Sequence, residues 1–144
     1  MLVACLYTPV VRPDQAGALT VGVVKDHRDF EEGGCELLLT PDFDKSARYV
    51  FMSDLDGRAV MNINGHDKRF RLVRSTESNV EPRKRDRSRY WYASGSITVE
   101  VDYTVTGVCP PNDESCEVTY YRAVIYVTSG PLKRSIAAYG LCGV

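Results

Sequence analysis

No two of the five cysteines stand in a Cys-x-x-Cys pair, and the chain has two histidines, His27 and His66, neither beside a cysteine cluster. A structural zinc site needs four N or S ligands at short spacings, and a thioredoxin-like redox pair needs Cys-x-x-Cys at a helix start, so both are excluded. No window approaches the roughly 20 consecutive apolar residues that a membrane-spanning helix requires. Charge of one sign is missing too: 18 basic side chains stand against 19 acidic ones, for a net charge of −1. With a pI of about 6.1, the chain lies far below the strongly basic range of nucleic-acid-binding domains, so no nucleic-acid partner is expected. No stretch of ten or more residues keeps a helical period.

What is present is a length of 144 residues, enough for one domain with a core that does not depend on disulfides to fold. From residue 19 the chain reads as short strands divided by turn chemistry. "SITVEVDYTVTG" alternates Ile97, Val99, Val101, Tyr103 and Val105 with Thr98, Glu100, Asp102 and Thr104, the period-2 pattern of a half-buried strand. "LTVGVV", "CELLLT", "ARYVFMS", "RAVMNI", "KRFRLV", "RYWYA", "EVTYYRAVIYVTSG" and "LKRSIAAYG" read as further strands. Asn64-Gly65 supplies the positive φ angles of a type I′ hairpin turn. The prediction is an all-β domain, an antiparallel barrel or sandwich of about eight to nine short strands over residues 19–144, preceded by an irregular tether over 1–18.

The cysteines then read as staples. Cys109 and Cys116 sit at the two shoulders of a hairpin whose tip, "CPPNDES", is stiffened by two prolines. A bridge there is worth about 2.5 kcal/mol in the chain-entropy model, and one from Cys35 to Cys142 about 4.8 kcal/mol. Other connectivities among these four remain open. Disulfides persist in oxidising compartments, so this reading places the chain outside the cytosol; five reduced thiols in a cytosolic domain are the alternative.

Candidate binding residues come from "PRKRDRSR", which packs Arg83, Lys84, Arg85, Arg87 and Arg89 around Asp86. All but Arg89 belong to the longest irregular stretch, residues 74–88, and the segment Arg74 to Arg89 is the expected contact surface, because long loops on rigid β scaffolds are either functional or disordered. Such a loop speeds encounter with an acidic partner, although a solvated loop accounts for the same residues. Asp54, Asp56 and Gly57 lack the later ligands of a calcium loop and read as a turn. Asp42, Asp44 and the acids at 26, 29, 31 and 32 read as solvated loop. Ser94 lacks the G-x-S-x-G frame, and no nucleophile, base and orienting group assemble around either histidine, so no catalytic residue, metal ligand or cofactor site is assigned.

Leu2, Val3, Ala4 and Cys5 resemble the bacterial lipobox, in which the cysteine is acylated after leader cleavage. The resemblance implies a leader upstream of Met1, and a membrane anchor at Cys5; an ordinary buried thiol is the alternative. With an all-β body and paired cysteines, the chain is similar to small periplasmic and lipid-anchored bacterial proteins, among them the lipoprotein inhibitors of C-type lysozyme, whose signature is a Ser-Gly segment followed by a tyrosine. Ser94, Gly95 and Ser96 carry the Ser-Gly element, with Ile97 and Thr98 after it. "FMSDLDGRAVMNINGHDKRFRLV" also resembles segments of secreted bacterial proteins. The resemblance implies a periplasmic or outer-membrane-anchored, non-enzymatic binding protein, an inhibitor or immunity protein whose partner is an envelope protein such as a wall hydrolase. The alternatives are an interaction domain of an envelope assembly, or a small hydrolase.

Overall fold

The computed structural model describes residues 18–41, 48–78 and 80–143. Cys5, Asp42 and Asp44 lie outside them. The alternation in "ITVEVDYTVTG" becomes strand β7 (Ile97–Gly107), with Val99, Val101, Tyr103 and Val105 buried and Thr98 and Thr106 exposed. The other strands are β1 (Val21–Gly22), β2 (Gly34–Leu38), β3 (Tyr49–Ser53), β4 (Arg58–Ile63), β5 (His66–Ser75), β6 (Arg87–Ser94), β8 (Val118–Ser129) and β9 (Leu132–Gly143). Strands β2 to β9 each pair antiparallel with the next, and β9 pairs back onto β2 through Gly34↔Gly143 to Leu38↔Tyr139. The result is a closed eight-stranded up-and-down barrel, in which no long sheet edge is left open. β1 is an extra strand laid on β4. Apart from one 3-10 turn, Arg28–Phe30, no helix occurs among the described residues.

Both predicted pairings hold: Cys35 is bonded to Cys142 and Cys109 to Cys116. Cys35 and Cys142 are also cross-strand partners at the β2–β9 seam, so this bridge ties together the two strands whose pairing closes the barrel. Gly140 makes the same seam possible. A Cβ there would run into the Glu36 carbonyl oxygen and, at 2.7 Å, into Leu37 Cδ2.

The two ends of the barrel differ. At one end, the closed end, three of the four connections are two-residue turns, Asn64-Gly65, Gly95-Ser96 and Gly130-Pro131, and the fourth is the 39–48 connection between β2 and β3. Asn64 and Gly65 have φ of 52° and 85°, the double positive that a type I′ turn needs and that Asn-Gly tolerates best. Leu19 packs into the interior cluster, and the Asn64 amide, in the turn at this end, donates to the Thr20 carbonyl at 2.9 Å. At the opposite end lie the 54–57, 76–86 and 108–117 connections and both disulfides.

"LTVGVV" shortens to the two residues of β1 because the chain is drawn off the sheet after Gly22. Asp67 accepts the amides of Lys25 at 3.0 Å and Asp26 at 2.8 Å, together with the Asn62 side-chain amide at 3.0 Å. Burial raises the Asp67 carboxyl, but these donors outweigh it and hold it below the usual carboxylate range. So anchored, residues 24–30 lay Val24 and Phe30 over Met52 and Val60 on the outer face of β3 and β4. Those strands are covered on both faces, which is why "YVFMS" and "AVMNI" are continuous apolar runs instead of alternating ones.

Candidate functional site

On the inner wall near the end that bears the 76–86 and 108–117 connections, tyrosines gather from three strands: Tyr90 and Tyr92, at alternate positions on β6, Tyr103 on β7 and Tyr121 on β8. Period 2 turns all four rings toward the barrel axis. They contact one another, with Tyr103 at 5.5 Å from Tyr90 and 5.1 Å from Tyr121 between ring centroids, both edge-to-face. Tyr92 meets Phe51 edge-to-face at 5.4 Å, and so joins the cluster to the core below.

These rings floor a cavity of about 370 Å³ whose rim is the Cys35–Cys142 bridge, the β3–β4 turn and the start of the β5–β6 loop. That volume falls within the range of small-molecule pockets. Three carboxylates line it, Asp54, Glu77 and Glu117, and no basic side chain does. Asp54 is occupied: it accepts the amides of Asp56 at 3.0 Å and Arg58 at 2.8 Å, and the Arg58 guanidinium at 2.6 Å. Burial works against its ionisation, and these donors hold it below the usual carboxylate range nonetheless. Asp54-Leu55-Asp56-Gly57 is therefore a turn closed by its own side chain. Among the described residues no group of three or more His, Cys, Asp or Glu side chains is arranged to hold a metal ion.

The phenols remain protonated across the physiological range. Burial pushes Tyr92 up to about 12, raises Tyr103 well above its ordinary value, and raises Tyr90 and Tyr121. The charge of Glu77 adds to the shift at Tyr90, Tyr92 and Tyr121, so this carboxylate acts on the whole cluster. Tyr103 is 2 % exposed, and its hydroxyl has no hydrogen-bond partner among the described residues.

A second cleft of about 350 Å³ shares Glu77, Pro82, Tyr90 and Tyr121 with the first and continues under the β5–β6 loop to Asp86 and Arg87. The loop is pinned: Arg85 donates its amide to the Val105 carbonyl at 2.9 Å, and Val105 donates back to Asp86 at 2.9 Å. Apolar side chains stand on the same rim, with Leu55, Val80 and Val108 exposed at 66 %, 65 % and 43 %. Exposed apolar residues gathered around a cavity are what an interaction surface presents.

The five basic residues read as one patch in the sequence are divided. Arg83, Lys84 and Arg85 are exposed on the loop, whereas Arg87 and Arg89 belong to β6. Arg87 lines the second cleft. Arg89 lies on the outer face, 2.9 Å from Asp102 and 3.6 Å from Glu100, with Trp91 between it and Arg74, whose guanidinium is 3.9 Å from the ring centroid. Neither histidine lines either cleft: His66 begins β5 at the closed end, and His27 Nδ1 lies on the outside, 3.1 Å from Glu31. Ser94 and Gly95 also lie at the closed end, away from the cavity. Tyr90, Tyr92, Tyr103 and Tyr121 were legible as strand residues and not as a cluster, since what unites them is the pairing of three strands. Nothing local marks Glu77 or Glu117.

Comparison with protein families, with curated proteins and with solved structures finds no match to this chain.

Proposed function

We propose that this chain is a non-enzymatic binding protein of the bacterial cell envelope that engages a protein partner at the open end of its barrel, and that it acts as an inhibitor or immunity protein against a wall-degrading enzyme. The observation that carries the reading is the placement of both disulfides at the end that bears the 76–86 and 108–117 connections and the cavity. Covalent staples at the rim that bears the cavity fit a binding end held in one shape, which lowers the ordering cost of association. Disulfides also favour an oxidising, extracytoplasmic setting, periplasmic or anchored to the outer membrane through Cys5. The exposed Arg83, Lys84 and Arg85 would steer an acidic partner, and the apolar rim of Leu55, Val80 and Val108 would supply the dehydrated contact.

The test is turbidimetric lysis of cell walls by a panel of peptidoglycan hydrolases, with and without the disulfide-bonded protein. Inhibition of at least one enzyme, saturating at one-to-one stoichiometry, is expected. Leu55→Asp combined with Val80→Asp should weaken it by a factor of ten or more, because each change places a charge in a desolvated contact. A panel left uninhibited removes the inhibitor reading, and inhibition untouched by the double variant removes the open end as the contact.

A further inference from the structure

The chemistry of the cavity goes further, on the reading that the open end is the binding end. We infer that the tyrosine-floored cavity is a site for a primary ammonium cation, either a free diamine or polyamine or a lysine side chain offered by the partner. Three observations converge on that class. The lining carries carboxylates and no basic group; Asp54 is already matched by Arg58, which leaves Glu77, hydrogen-bonded to the Tyr90 hydroxyl, and Glu117 as negative charge at the mouth without a cationic partner among the described residues. Four phenol rings make up the floor, and aromatic rings attract a partly desolvated cation through their quadrupole. Deepest among them is the Tyr103 hydroxyl, buried and without a partner among the described residues.

A buried hydroxyl left unpaired is costly, so the arrangement is explained best by a group that completes it. An ammonium supplies a donor to that oxygen while matching the rest of the lining. One N–H is donated to Tyr103 Oη, the others reach toward the carboxylates at the rim, and the alkyl chain lies along Tyr90, Tyr92 and Leu72. An anion would face two unneutralised carboxylates. A neutral ligand would leave that charge unused, and a quaternary ammonium has no N–H for Tyr103.

Calorimetric titration of the intact disulfide-bonded protein tests this with two probes of the same chemistry: cadaverine, and Nα-acetyl-lysine N-methylamide. Saturable binding of at least one is expected, with 1,5-pentanediol, a neutral analogue of the same length, not binding. Binding of cadaverine alone points to a free amine, and binding of the lysine derivative points to a side chain of the partner. Glu77→Gln and Glu117→Gln are substitutions at exposed positions that leave the core intact, and each is expected to weaken binding about threefold to tenfold. Tyr103→Phe is expected to weaken it about fivefold while leaving the melting temperature unchanged or raised, because the variant removes an unpaired buried hydroxyl. A residue with a purely structural role would move the melting temperature and not the affinity. Absence of binding by both ammonium probes, in protein that still engages its partner at Leu55 and Val80, overturns the cation assignment and leaves the open end standing as the binding end. Binding that survives the Glu77→Gln, Glu117→Gln double variant, or that tracks pentanediol, overturns it as well.

Discussion

Replacing Cys35 and Cys142 together by alanine is expected to lower the unfolding free energy by about 4.8 kcal/mol, against about 2.5 kcal/mol for the Cys109, Cys116 pair. The difference follows from what each bridge encloses: a sequence separation of 107 in the first case and 7 in the second. It also follows from position. β2 meets β9 through five residue pairs, fewer than the twelve between β8 and β9, and the long bridge lies on the pairing that closes the barrel. Opening that seam exposes the inner wall of a barrel whose other closing pairings all join consecutive strands. For a chain of this size the melting temperature should fall by roughly 10–20 °C. Urea titration of the two double variants under oxidising conditions measures both effects. Equal losses, or a larger loss at Cys109 and Cys116, would mean that the seam is held by other contacts.

Gly140→Ala is expected to cost about 3 kcal/mol, at the upper end of what overpacking does in a well-packed interior. The added methyl group meets the Glu36 carbonyl oxygen, part of the backbone of the paired strand, which cannot rotate away as a side chain would. Relief requires β2 to move off β9. Gly65→Ala supplies the contrast: its φ is 85° but nothing lies within 4 Å of the added carbon, so the cost is conformational only, about 1 kcal/mol. Chemical denaturation of the two variants side by side separates a steric effect at the seam from a backbone effect at a turn.

Both results depend on a pairing that no local stretch of sequence announces. Strand β7 and the Asn64-Gly65 turn were legible because alternation and turn chemistry are written within a few residues. The hairpin flanks of Cys109 and Cys116 made that bridge legible for the same reason, and Cys35–Cys142 followed by leaving Cys5 aside. The choice between barrel and sandwich was not legible, because it rests on β2 meeting β9, over a hundred residues apart. The short β1 was misjudged as a full strand since its competitor is tertiary: the Asp67 carboxylate and the apolar outer face of Met52 and Val60 take the backbone away from the sheet. The basic cluster was read as one loop because charge carries no strand period; in the fold, β6 begins at Arg87 and pairs Arg89 across to Asp102. The tyrosine floor is the clearest case of a site assembled by register. Ser88↔Tyr103 and Tyr103↔Ala123 place β6, β7 and β8 so that four rings converge, a relation between strands that each strand alone cannot show.

Site-specific photo-crosslinking in the native host addresses most directly the claim that the open end of the barrel is where this protein binds. p-Benzoylphenylalanine is introduced singly in place of Leu55 and Val80 at the open rim, and in place of Asn64 and Pro131 at the closed end. The same partner adduct is expected from both rim positions and from neither closed-end position. Adducts formed at Asn64 or Pro131 with Leu55 and Val80 silent would contradict the account.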